Sequence, residues 1–171
     1  MITCENDQVS DLQVIVGSET GTGGSMARFT IAKDHLYTVS ENILSVYDIN
    51  NTNQPVQLND VIIGSGIETI FPDNNRLFIG SQSGMYIYDI SNPRKPGLLG
   101  NYQHIVACDP VVTEGDYAYV TLHSQDNNCG RWTNELQIID ISDESDPSLV
   151  YSYQMSSPRG LSVRNDTLLV C

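Results

Sequence analysis

Positive charge is scarce in this sequence. Lysine and arginine total 8 against 21 aspartates and glutamates, a net charge of −13 over 171 residues. Sequence-independent binding to DNA or RNA needs a positive field to neutralise phosphates, so that class is excluded. Docking of the bare surface on anionic lipid headgroups is excluded for the same reason. The acidity reads as a source of solubility rather than as a cation site. No apolar run approaches the roughly 20 residues of a membrane-spanning helix. None of the four cysteines, Cys4, Cys108, Cys129 and Cys171, forms a Cys-x-x-Cys pair, so neither a zinc ribbon nor a dithiol redox motif is indicated. G-x-S-x-G, H-E-x-x-H, G-x-x-x-x-G-K and EF-hand loops are all missing. Gly21-Thr22-Gly23-Gly24-Ser25 is glycine-rich but lacks the strand-to-helix setting of a phosphate cradle. No stretch sustains a 3.6-residue hydrophobic period, which predicts almost no helix.

What the sequence does have is repetition. The runs Leu36-Tyr37-Thr38-Val39, Leu77-Phe78-Ile79-Gly80, Ala118-Tyr119-Val120-Thr121 and Leu168-Leu169-Val170-Cys171 are spaced by 41, 41 and 50 residues. Tyr47-Asp48-Ile49, Tyr88-Asp89-Ile90 and Ile139-Asp140-Ile141 follow the first three, and Pro55, Pro96 and Pro147 follow those. Each unit contains short runs rich in Val, Ile, Tyr and Thr, bounded by Gly, Asn, Asp, Ser or Pro, which is the chemistry of strands. Four antiparallel strands per unit of about 40 residues is the pattern of a propeller blade. Blades pack face to face, so both faces of a strand are buried and strict alternation is lost, as in Met85-Tyr86-Ile87-Tyr88. A solenoid is the competing architecture, with rungs usually shorter than this period.

The expected fold is therefore all-β: a partial β-propeller of four-stranded antiparallel blades, with about 3.5 blades present. Residues 1–26 form a leader or linker in which Leu12 to Val16 could make one strand. Residues 27–67, 68–108 and 109–158 are blades 1, 2 and 3, and 159–171 begin a fourth. Leu12–Val16 closing a four-bladed ring with the fourth unit is an alternative, but it leaves a thin blade. Otherwise two blade faces are uncovered and the isolated segment should associate. The third unit is about ten residues longer than the others, and the excess lies between its second and third strands, from Val120 to Leu136. Long connections on repeats project from one face and often carry binding. The expected ligand- or partner-binding residues are accordingly His123, Gln125, Asp126, Asn127, Asn128, Arg131 and Trp132.

The stretch Gly115-Asp116-Tyr117-Ala118-Tyr119-Val120, followed by Glu135-Leu136-Gln137-Ile138-Ile139-Asp140-Ile141-Ser142-Asp143, resembles the LVIVD repeat. Met85 to Pro96 is similar to the same repeat, and Ile43 to Ile49 more loosely so. The resemblance covers residues 27–171. It implies a β-propeller, mostly of secreted, surface or lipid-anchored bacterial proteins, and no known reaction. Closed rings in such proteins usually need six to eight blades.

Three constellations carry competing readings. Asp48, Asp89 and Asp140 recur at the end of the third strand. A repeating acid invites a metal or catalytic role, but a carboxylate there accepts N–H groups of the following turn, and a residue present in every blade supports the blade. Cys108 and Cys129 fall in one unit. They form a disulfide worth roughly 3 kcal/mol in the chain-entropy argument, or join His104 and His123 in a zinc-like site, or remain free thiols. The disulfide requires an oxidising compartment. Thr3-Cys4-Glu5-Asn6-Asp7 resembles the end of a bacterial lipoprotein signal with its acidic follow-on stretch, making Cys4 either a lipidation site or a plain leader cysteine. Tyr102, Tyr151 and Tyr153 recur on the fourth strand and are expected to cover the neighbouring sheet.

Together these point to a non-catalytic extracytoplasmic binding or scaffolding module of a bacterial surface lipoprotein, on the outer-membrane surface or in the periplasm. Its expected partners are a surface protein or glycan and the remaining propeller blades, with membrane contact only through the lipid and no cofactor. The rival readings are part of a propeller enzyme with its active site in other blades, and a purely structural repeat.

Overall fold

The computed structural model describes residues 28–103, 110–123 and 133–171. It contains fourteen strands and no helix among those residues. The first blade comprises β1 (Phe29–Ala32), β2 (His35–Ser40), β3 (Ile43–Asp48) and β4 (Val56–Ile62). The second comprises β5 (Ile67–Asp73), β6 (Arg76–Ser81), β7 (Gly84–Asp89) and β8 (Gly97–Gln103). The third comprises β9 (Val111–Glu114), β10 (Tyr117–Leu122), β11 (Glu135–Asp140) and β12 (Ser148–Gln154). A two-stranded sheet follows, from β13 (Leu161–Arg164) and β14 (Thr167–Val170). Each four-stranded sheet is an antiparallel meander in chain order. These are the blade-like units of a partial β-propeller.

The first strands stand side by side: β1 packs on β5, β5 on β9, and β9 on β13. The sheets therefore fan from an axis lined by first strands, with β4, β8 and β12 on the rim. Two dry interfaces result. Tyr37, Leu44 and Val46 of the first blade meet Ile70, Leu77, Ile79 and Tyr88 of the second. Phe71, Phe78, Met85 and Ile87 on the other face of the second blade meet Val112, Ala118, Ile139 and Leu161 of the next two sheets. Covered on both sides, β6 and β7 are almost wholly buried and do not alternate. Phe29 and Ile31, on the face of the first blade turned from this core, are each 60% exposed.

Polar residues set the ends of the strands. On the lower face, first and second strands join through two-residue turns at 33–34, 74–75, 115–116 and 165–166. Lys33, Asp34, Asn74, Gly115, Asn165 and Asp166 there have φ between +49° and +61°. Such turns match the right-handed strand twist and favour Asn, Asp and Gly, which tolerate the left-handed region. Beside them, the third-to-fourth strand loops repeat one double turn. Asp48 Oδ1 accepts the Asn50 N–H at 2.9 Å, Asp89 Oδ1 that of Ser91 at 2.8 Å, and Asp140 Oδ1 that of Ser142 at 2.9 Å. Asn51, Asn92 and Asp143 then accept from Asn53, Arg94 and Ser145. A backbone bond closes each loop before its proline, as from Gln54 N–H to the Asn51 carbonyl at 2.9 Å. The recurring aspartates are thus turn-forming groups, which is why they recur.

Charged side chains on the same face lock blade to blade. Arg76 donates to Asp73 at 2.5 Å and reaches Glu144 of the third blade at 3.3 Å, with its guanidinium 5.3 Å from the centre of the Phe78 ring. Lys33 Nζ donates to the Ile90 carbonyl at 3.4 Å, and the Asp166 N–H to Glu114 at 3.1 Å. Gly100 on the rim strand β8 lies under the third blade: a Cβ there would come 1.9 Å from the Glu144 carbonyl oxygen. The rim strands share an irregularity. One residue, Leu58, Leu99 or Val150, is skipped in pairing with the third strand.

Two outcomes follow. Gly100→Ala should lower unfolding free energy by about 1–3 kcal/mol through overpacking at the blade interface, whereas Gly97→Ala on the same strand, where a Cβ meets nothing within 4 Å, should change it little. Urea titration of both variants checks this; equal stabilities would show that the interface relaxes freely. The carboxyl of Asp48 is held below its ordinary range by the Asn50 N–H and side-chain amide, and that of Asp89 by the Ser91 hydroxyl and N–H. Asp140 and Asp143 are lowered in the same way by Ser142 and Ser145. A lowered folded pKa contributes stability above the unfolded value of about 3.9 and loses it as pH falls through the folded values. The urea midpoint should therefore drop below about pH 4, and the triple variant Asp48→Asn, Asp89→Asn, Asp140→Asn should show a shallower drop.

Candidate functional site

The upper face holds the second-to-third strand connections and the linkers between blades. In the first two blades the connections are two-residue turns, Glu41-Asn42 and Gln82-Ser83. In the third, β10 and β11 are joined by residues 123–134. His123 is the only one of the expected binding residues within the described part of this connection. Gln125, Asp126, Asn127, Asn128, Arg131 and Trp132 lie outside the described residues, as do Cys4, Cys108, Cys129 and His104.

His123 is a buried foot for the connection, 7% exposed. Its Nδ1 lies 3.3 Å from Asn134 Oδ1 and 3.2 Å from Ser157 Oγ. One ring thereby joins the end of β10, the return of the connection and the linker from β12 to β13. Ser157 has φ of +55°, a conformation a serine adopts only where its surroundings enforce it. Nδ1 faces both the serine and the asparagine, so the ring braces these three segments against one another.

A second network stands beside it. Glu135, the first residue of β11, accepts from Gln137 Nε2 at 2.7 Å, Ser152 Oγ at 2.6 Å and Gln154 Nε2 at 3.0 Å. The Tyr102 hydroxyl of the second blade donates to Gln137 Oε1 at 3.2 Å. Burial, and then the Glu135 charge, raise the Tyr102 pKa. A polar chain therefore runs from β8 through β11 to β12 directly under the connection. Tyr102 covers the neighbouring sheet as expected. Tyr151 and Tyr153 are instead 55% and 50% exposed, with their ring centres 4.4 Å apart and the planes tilted by 48°.

Asn134, Ser157, Glu135 and Gln137 were not among the residues singled out from sequence. A signal existed for two of them: where the third unit has Glu135 and Gln137, the first has Ile43 and Ser45 and the second Gly84 and Tyr86. Among the described residues no cluster of three or more His, Cys, Asp or Glu could hold a metal ion. Cys171 is the one cysteine among them.

Two stretches, residues 74–104 and 107–155, match the family model described as LVIVD repeat. They take in most of the second blade and the whole of the third, including the connection under discussion. No curated protein matches the chain. These two units, with their blade-like sheets and repeated Asp-turn loops, are LVIVD repeats.

Proposed function

We propose that this chain is a non-catalytic binding or scaffolding module displayed outside the cytoplasm, and that the connection after β10 carries its contact surface. The observation behind this reading is the contrast on the upper face. Two blades turn in two residues, while the third spends 123–134 on the same step and braces its base with His123 and the Glu135 network. Scaffold residues that rigidify the foot of a long connection lower the cost of ordering it on binding. The partner is a surface protein or glycan, engaged by the polar and aromatic side chains from Gln125 to Trp132.

Part of this reading is a disulfide at Cys171, which requires an oxidising compartment. It also constrains the other cysteines. With four in the chain, a Cys108–Cys129 bridge leaves only Cys4 to pair with Cys171, and a Cys4 so paired carries no lipid. A lipidated Cys4 instead gives Cys171 one of Cys108 and Cys129 and leaves the other reduced. The surface-lipoprotein reading takes the second course.

Peptide mass mapping without reductant, on protein made in its native host, decides between them. A diacylglyceryl mass on the Cys4 peptide together with one free thiol is the expected result, and a Cys4–Cys171 peptide would reject the lipid anchor. For the binding surface, replacing Gln125, Asp126, Asn127, Asn128, Arg131 and Trp132 by serine, with His123, Cys129 and Asn134 kept, should leave the melting temperature within about 4 °C. It should also abolish retention on a glycan array and on surface-protein extracts that hold the intact protein. Full retention after the replacement would remove the connection from consideration.

A further inference from the structure

The cleft between the first and second blades, also on the upper face, is not used by the reading above. It has a volume of about 510 Å³ and is lined by Arg28, Glu41, Asn42, Ser65, Gly66, Ile67, Glu68 and Gln82. That volume lies within the range of small-molecule sites.

Its charged groups are in an unusual state. Arg28, Glu41 and Asn42 make no side-chain hydrogen bond or ion pair with any described residue. Arg76 is paired across a blade interface, whereas Arg28 and Glu41 face one opening without a charged partner among the described residues. Glu41 sits in its tight turn with φ of +54°, a position where Asn, Asp or Gly would be less strained. The floor is ordered: Gln82 Nε2 donates to Glu68 Oε1 at 3.2 Å, and the Gln82 side chain passes over Gly66. Gly66 has φ of +70°, and a Cβ there would stand 3.2 Å from Gln82 Oε1.

The lining discriminates between ligand classes. Charged walls disfavour an apolar guest. A polyanion meets two carboxylates, and a simple cation meets Arg28. A sugar finds no aromatic ring among the described residues of the lining on which to stack. A molecule carrying both signs finds a partner for each: carboxylates for an ammonium, and a planar guanidinium for a carboxylate.

We infer that this cleft is a site for a small zwitterion of the amino-acid or dipeptide class, its ammonium held between Glu41 and Glu68 and its carboxylate on Arg28. The inference is independent of the long connection, so the variant with serine at those six connection positions should bind such a ligand unchanged. The test is an amide NMR titration of the full chain with glycylglycine, with ethylammonium, acetate and methyl glucoside as separate probes. Glycylglycine should shift the amides of Asn42, Gly66, Glu68 and Gln82 saturably. Arg28→Gln and Glu41→Gln, both at exposed positions that leave the core intact, should each weaken it at least about ten-fold, the loss of one charge-assisted contact. Absence of saturable shifts, equal response to methyl glucoside or to either single ion, or indifference to both substitutions in a folded protein would each overturn the assignment.

Discussion

Face-to-face burial of one sheet on the next governs everything else in this molecule. A four-stranded meander alone presents two apolar faces and hides neither. Stacked, the second blade hides both, which is why Leu77, Phe78, Ile79 and Ile87 have no exposed surface. At roughly 25 cal/mol per Å² of apolar surface removed from water, side chains of this size contribute about 1.5–3 kcal/mol each. Nearest-neighbour packing of this kind makes stability a sum of unit and interface contributions. The polar features then take their places around it: Arg76 and Lys33 fasten the lower rims, the Tyr102–Gln137–Glu135 chain fastens the upper one, and Gly100 permits the close approach between them.

The division of labour between the two faces follows from the meander. Its lower face carries the two-residue turns and the double Asp/Asn turns, and these are nearly identical from blade to blade. They close locally, through bonds spanning two or three residues, so they neither need nor leave room for variation. The upper face carries the linkers and the second-to-third strand connections. There a turn can lengthen without disturbing any ladder, and there the third unit departs from the rest. Function in a repeat fold resides in such departures, since the repeated residues are already committed to the scaffold.

The architecture was legible from the sequence because it is written redundantly. Strand runs, turn residues and the Tyr-Asp-Ile punctuation recur at one period, and each copy supports the others. The reading of Asp48, Asp89 and Asp140 as turn formers rested on that recurrence and on carboxylate chemistry, and the bonds to Asn50, Ser91 and Ser142 bear it out. The upper-face details were not legible. His123 meets Ser157 across 34 positions of chain and Tyr102 meets Gln137 across 35, distances that only packing brings together. Glu41 and Arg28 are ordinary surface residues in sequence. What sets them apart is a left-handed turn and a shared opening, neither of which has a sequence pattern.

The skipped residue in each rim strand has a bearing on how such molecules meet. The outer edge of β4, β8 or β12 would otherwise offer a straight row of N–H and C=O groups to any extended chain. By inserting Leu58, Leu99 or Val150 out of phase, the strand bends, and its free groups no longer match the even spacing of an incoming partner. The rim thus refuses the templated, strand-by-strand growth that leads to fibrils. Recognition is left to side chains and loops, which can be specific, while the backbone, which cannot, is kept out of register.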